Sequence, residues 1–353
     1  RPRRTVIMTK RFLGNIMTDA PTAPAGPFQN SAASGVWSLA EALSYTKGGL
    51  WPKLGNINVR MVIQNGRPAG SLTTVMESIQ VAVLSNSVDF GDVTVETDKA
   101  WKNASGASST RGVIAGGNSN NSAIQYSTIA SGGNTVNFGV LASVGREGLG
   151  GCSNGVIAIF AGGEAGGVRD SGDQVTISTT GNSTNFGDLR TRVYKHASCG
   201  NNTRGIMAGG RNSGGSTINE IQYYTYASQG TAQDFGDLTE VKKEFSGASN
   251  STRGIFSGRE ASTNTYDYIT IGTAGNAVDF GDMRLGPING TTAASSSTRA
   301  VWAGGNEDST GSDIYTRIDY VEIATTGNGL DFGTLTTGAG FATAFSNGHG
   351  GIA

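Results

Sequence analysis

"NSVDFGD" stands at residues 86–92, "NSTNFGD" at 182–188 and "NAVDFGD" at 276–282. Asp-Phe-Gly by itself could be a magnesium-binding kinase loop, but a kinase carries that loop once. Here the phenylalanines recur at Phe90, Phe138, Phe186, Phe235, Phe280 and Phe332, spaced 48, 48, 49, 45 and 52 residues apart. A period near 48 residues lies in the range of propeller blades. Two further motifs keep the same beat. One is a strand that ends in Gly-Gly in four copies and in Gly-Arg in the other: "STRGVIAGG" at 109–117, "NGVIAIFAGG" at 154–163, "NTRGIMAGG" at 202–210, "STRGIFSGR" at 251–259 and "STRAVWAGG" at 297–305. The other alternates with period 2: "IQYSTIA" at 124–130, "IQYYTYA" at 221–227, "YDYITIG" at 266–272 and "IDYVEIA" at 318–324. With a small-residue strand such as "KHASC" at 195–199 in front, each unit reads as four short antiparallel strands, which make one blade.

The motif has a structural reading. Asn and Asp of N-x-x-D-F-G bond nearby backbone and fix a turn. Phe is an apolar wedge between neighbouring blades. Gly permits positive φ or a close backbone approach.

Six Phe-Gly motifs follow only five complete Gly-Gly strands. "ESIQVAVLS" at 77–85 matches a third strand with no first or second before it, and the chain ends on "GFATAFSNGHGGIA" at 340–353, which matches the first two. The sequence therefore predicts an all-β, six-bladed propeller over residues 75–353. Its composite blade takes outer strands from 75–92 and inner strands from 340–353, so the ring leaves no exposed pair of edges. Aligning the Gly-Gly pairs puts Cys152 and Cys199 in one column with Gly106, Ala248 and Ala294, all small as a crowded inner strand requires. Equivalent positions on neighbouring blades point alike, so the thiols are expected to be packed and unbridged.

Bulk composition agrees. Of 353 residues 55 are glycine, without a Gly-X-Y period, and 37% are apolar. Net charge is −1, so no global field draws the chain to nucleic acid. No run of about 18 apolar residues predicts membrane insertion. The basic start "RPRRTVIMTKRFLGN" lacks the apolar centre of a signal peptide.

Residues 1–74 carry no blade motif and read as an anchoring arm. "TDAPTAPAGPF" at 18–28 is an extended linker. "SLAE" at 38–41 fits a capping box, opening a short helix from Ser38 to about Tyr45. Trp37, Leu39, Leu43 and Trp51 are the candidate partner-binding anchors. The basic residues lack interleaved aromatics or a folded platform, which argues against a nucleic-acid partner.

Candidate chemistry is sparse. His196 and His349 are the two histidines, and there is no His-x-His. There is no Walker loop or Cys-x-x-Cys. No catalytic, cofactor or metal residue is nominated. Arg111, Arg204, Arg253 and Arg299 recur at one blade position, either as structural contacts to neighbouring carbonyls or as an anion-binding rim.

The pattern of Arg before a Gly-Gly strand with a later Tyr resembles the kelch repeat. It departs at the end, where kelch has Trp and this chain Asp-Phe-Gly. The longer run from S-T-R-G to D-F-G-D-L, with "ASGVWSLAEALSYTKGGLWP" at 33–52 and "SNGHGGIA" at 346–353, resembles structural proteins of marine bacteriophages, cyanophages especially. That resemblance implies a non-enzymatic virion component present in several copies per particle. The expected role is a peripheral fibre-like or receptor-facing module. It would join other virion proteins through residues 1–74 and meet a host surface glycan or protein through propeller loops. Capsid decoration, or a tail adaptor or nozzle, is the structural alternative; an enzyme acting on host glycans is the third.

Overall fold

The computed structural model describes residues 59–64, 66, 73–94, 102–258, 264–284, 288–306 and 314–352. The helix expected after Ser38 and the anchors Trp37, Leu39, Leu43 and Trp51 lie outside the described residues.

Six four-stranded antiparallel sheets form the ring, and their innermost strands touch in cyclic order. Blade 1 is composite: Thr343–Ser346, Arg60–Gln64, Val75–Gln80 and Val88–Asp92. Blade 2 runs Ala104–Ala107, Arg111–Ala115, Ala123–Thr128 and Val136–Val140. Blade 3 runs Gly150–Ser153, Ile157–Ala161, Ser171–Thr176 and Thr184–Asp188. Blade 4 runs Ala197–Gly200, Arg204–Ala208, Glu220–Thr225 and Gln233–Asp237. Blade 5 runs Gly247–Ser249, Arg253–Phe256, Thr265–Thr270 and Val278–Asp282. Blade 6 runs Thr292–Ser295, Arg299–Ala303, Arg317–Glu322 and Leu330–Thr334.

The composite blade is built differently from the sequence expectation. The C-terminal segment supplies one strand, not two. The second strand is Arg60–Gln64, from the segment assigned to the arm, paired with Thr343–Ser346 on one side and Val75–Gln80 on the other. "RMVIQ" was not recognisable because Met61 stands where the other blades have Gly or Ala.

Side-chain sizes across blade junctions explain that substitution. The column of Gly106, Cys152, Cys199, Ala248 and Ala294 is in register as expected, and its sixth member is Phe345. These side chains face the second strand of the next blade, where large meets small. A Cβ on Gly205 would strike the Cys152 sulfur, and one on Gly112 would overlap the Phe345 ring. Ala294 packs in one cluster with Met61. Close packing tolerates neither a void nor an overlap, so each blade is matched to its neighbour.

The core is six wedges, one per junction, and each wedge holds one repeated Phe. Each Phe sits at a β-bulge: Met76 pairs with Gly91 and Glu77 with Asp89, leaving Phe90 between. The same register shift occurs in the other five blades. The next Gly is required by close approach. A Cβ on Gly91, at φ 138°, would lie 2.5 Å from the Gly133 carbonyl carbon of the following blade.

The Asn of the motif bonds across the junction, not within its own turn. Asn134 Oδ1 accepts from Asp92 N at 3.0 Å, and Asn182, Asn276, Asn328 and Asn86 do the same for Val140, Asp237, Asp282 and Thr334. Blade 4 has Thr231 there, although the flanking bonds Gly230 N to Phe186 O and Ala232 N to Asp188 O are kept. Thr231→Asn is therefore expected to add the missing bond and stabilise the protein by about 0.5–1.5 kcal/mol. Chemical denaturation of the two proteins measures it; an unchanged midpoint contradicts the assignment.

Candidate functional site

The innermost strands line a central channel with a cavity of about 150 Å³. Its lining among the described residues is mainly small, hydroxylic and apolar, joined by Asn103, His196 and His349, with no Asp, Glu, Lys or Arg. Each blade junction is latched here by a serine hydroxyl on the neighbouring main chain. Ser153 donates to Ala107 O (3.0 Å), Ser249 to Gly200 O (2.6 Å), Ser295 to Ser249 O (2.6 Å) and Ser346 to Ser295 O (2.5 Å). The other two junctions use serines two residues earlier in the strand: Ser105 donates to Ala344 O and Ser198 to Gly151 O, both at 2.7 Å.

One mouth of the channel is bounded by the loops between outer and inner strands. There, six residues bond head to tail around the axis: Lys102 N to Phe341 O, Gly148 N to Lys102 O, Lys195 N to Gly148 O, Glu244 N to Lys195 O, Gly290 N to Glu244 O and Phe341 N to Gly290 O, at 2.7–3.1 Å. All six residues have positive φ, from 51° to 66°. For Lys102, Lys195, Glu244 and Phe341 this is an uncommon conformation, held by the closed cycle. Ion pairs tie parts of the rim, Lys102 to Glu147 at 2.8 Å and Lys195 to Glu244. The loops between second and third strands of blades 2, 3 and 4 open on this same side. They include Glu164 bridged to Glu147, and Arg211–Asn212 paired with Val193–Tyr194.

The opposite mouth is covered by the C-terminal tail. His349 Nε2 lies 3.0 Å from Ala107 O and 3.2 Å from Ser153 Oγ, while its Nδ1 accepts from Gly351 N at 3.1 Å. That network assigns the neutral tautomer with the proton on Nε2. Gly350 N donates to Ser249 O at 2.9 Å. A Cβ on Gly350 or Gly351 would strike carbonyls of Gly200, Asn250 or Ser153. The tail thus touches blades 2 to 5 across the axis, where the sequence suggested a second inner strand.

The arginine column takes the structural reading. Each guanidinium donates to carbonyls of the next blade: Arg111 to Ser178 O (2.8 Å), Arg204 to Ile271 O (2.9 Å), Arg253 to Ala324 O (2.9 Å) and Arg299 to Ala82 O (3.2 Å). Arg60 joins the column, donating to Ile129 O at 2.9 Å. The first four also lie over Tyr126, Tyr223, Tyr268 and Tyr320 at 4.5–5.0 Å, within cation–π range.

A second polar column mixes Glu, Gln and Asp, so no single residue type marks it in the sequence. Glu77, Gln125, Asp173, Gln222, Asp267 and Asp319 are all buried in the third strand. Each bonds the loop leaving the preceding blade, as Thr336 N to Glu77 (3.0 Å), Thr191 N to Gln222 (2.9 Å) and Arg284 Nε to Asp319 (2.8 Å) show. Two of these contacts are fully buried ion pairs, Arg146 with Asp173 and Lys242 with Asp267, both at 2.8 Å.

The ring resembles solved structures. One of 350 matching chains is titled "Structure of YjhT", with a TM-score of 0.59 and 11% identity over 69% of this chain and 87% of that one. At that identity the likeness speaks to the fold alone. No family model and no curated protein matches the chain.

The remaining reactive groups are buried. Cys152 and Cys199 are unbridged. Burial pushes the Cys152 thiol up to about 12 and raises Cys199 likewise, so neither is a ready nucleophile. No group of three His, Cys, Asp or Glu could hold a metal ion among the described residues. His196 is 5% exposed and neither ring nitrogen has a hydrogen-bond partner. It fills the position that Leu149 takes in blade 3, packed over Gly162 of the preceding blade as Leu149 packs over Gly116. Burial pushes its imidazole down to about 4.

An acid sensitivity follows. Between about 6.5 and 4 the unfolded chain binds a proton that the folded state refuses. Stability from this residue is therefore complete above 6.5 and is lost as pH falls, by roughly 3 kcal/mol at pH 4. His196→Leu is expected to flatten the stability profile over that window relative to the parent. Denaturant titrations at pH 7, 5.5 and 4 read the difference; parallel profiles contradict it.

Proposed function

We propose that the chain is a non-catalytic component of a virus particle. Residues upstream of the propeller attach it to other virion proteins, and the loops between second and third strands face outward. The observation that carries this reading is where the repeated polar groups point. The arginines, asparagines and buried carboxylates of the blades bond neighbouring blades, which makes a rigid platform whose variable parts are loops. The blade-wide resemblance to marine phage structural proteins supplies the setting, and several copies per particle follow from it.

Mass spectrometry of purified particles of the virus that encodes the chain tests the first half: the chain is expected there at stoichiometric levels, and its absence overturns the reading. Binding of the full chain to host cells and to a glycan array tests the outward face. Turnover of host polysaccharide would replace the proposal with an enzymatic one.

A further inference from the structure

The six outer turns, between third and fourth strands, resemble one another, and that of blade 1 departs at three successive positions, the third being Ser85 where the others have Gly133, Gly181, Gly230, Gly275 and Gly327. At the position of Val83 the other blades have Ser131, Thr179, Ser228, Thr273 and Thr325; at Leu84 they have Gly132, Thr180, Gln229, Ala274 and Thr326. The backbone does not demand the change. Val83 N donates to Gln80 O at 3.1 Å, as Thr179, Ser228, Thr273 and Thr325 do to their counterparts at 3.1–3.2 Å. Val83 and Leu84 are nonetheless 59% and 52% exposed, and Val88 in the same hairpin is 62% exposed.

The neighbourhood is biased the same way. At the position of Val88, the flanking blades carry the exposed Leu330 and Val136, and blade 5 carries Val278. Blades 3 and 4, on the other side of the ring, have Thr184 and Gln233. Residues 82–87 hold no charge. The turn is held rigid, because Arg299 of blade 6 donates to Val81 O and Ala82 O. The chain also enters the propeller here: Val59 O accepts from Val81 N at 2.9 Å, and 58 residues precede it.

We infer that Val83, Leu84 and Val88 form a docking patch for a virion protein that presents an apolar cleft, the same protein that residues upstream of Val59 engage. This rests on the proposed virion role. A rigid apolar pair on the turn next to Val81, which bonds Val59, adds a second contact to one partner, and linked contacts raise retention without either being tight.

The test uses the full chain with Val83→Thr and Leu84→Thr together, the pair that blade 3 carries as Thr179 and Thr180 on the same turn bond, and its melting curve checks that folding is intact. Wild type and variant are supplied in trans to a virus lacking the gene, and copies per particle are counted. The expected result is a melting curve like the parent's with at least tenfold fewer copies incorporated. Equal incorporation overturns the patch and leaves the virion role standing. Absence of the wild type from particles overturns both. A wild-type chain that self-associates in sedimentation, with a variant that does not, assigns the patch to a second copy and overturns the inference.

Discussion

Asp173→Ala is expected to destabilise the protein by about 3–5 kcal/mol, the usual effect of removing one partner of a buried pair. The Arg146 guanidinium and the Asp173 carboxylate are both fully buried, 2.8 Å apart, at the junction of blades 2 and 3. Arg146 also donates to Gly162 O at 2.6 Å and Ser171 O at 3.1 Å, so it cannot swing out to water without breaking that junction. Burial already lowers its pKa, and Asp173 is the chief opposing influence. Without the carboxylate a positive charge is left stranded. The repeat offers its own remedy, since blades 2 and 4 carry Gln125 and Gln222 at the position of Asp173. Arg146→Met combined with Asp173→Gln is expected to recover most of the loss. Urea unfolding of the three proteins decides; a single variant within 0.5 kcal/mol of the parent would remove the pair from the account.

Deleting residues 341–353 is expected to abolish cooperative folding. The deletion takes the innermost strand of blade 1, the Ser346 latch, the tail over the channel and Phe341 of the hydrogen-bonded cycle. Phe345 alone, buried against Gly112, has the size of effect seen for truncated core aromatics, about 3–5 kcal/mol. Domains of this kind are stable by only about 5–15 kcal/mol. The remaining chain would expose the inner edge of Arg60–Gln64, a template for intermolecular pairing. Light scattering and circular dichroism should show an associating species without a sharp melt. A soluble species with the parent's melting temperature is the opposing outcome.

The fold was legible because six copies of one motif can be compared column by column. The Phe wedge recurs as one residue type, since one side chain does one job at every junction, and the inner column is small in the five contiguous blades. Features that escaped lack that property. The serine latch is split between two columns, so neither shows six hydroxyls. The cycle at the mouth passes through Phe341, Lys102, Gly148, Lys195, Glu244 and Gly290, which share no side-chain chemistry because only backbone groups bond. Arg60–Gln64 was hidden because its Met61 answers the small Ala294 of blade 6. The motif asparagines were visible, but nothing local distinguishes a bond within a turn from one across a junction. The anchors Trp37, Leu39, Leu43 and Trp51 lie outside the described residues, so that part of the site rests on sequence.

Closure of the ring by one C-terminal strand and three N-terminal ones is the central claim. The most direct measurement compares thermal unfolding and hydrodynamic size of the chain begun at residue 59 with those of the chain begun at residue 75. The first is expected to melt cooperatively as a compact particle. The second lacks Arg60–Gln64 and is expected to be unfolded or associated. A chain begun at residue 75 that melts like the longer one would contradict the composite blade described here.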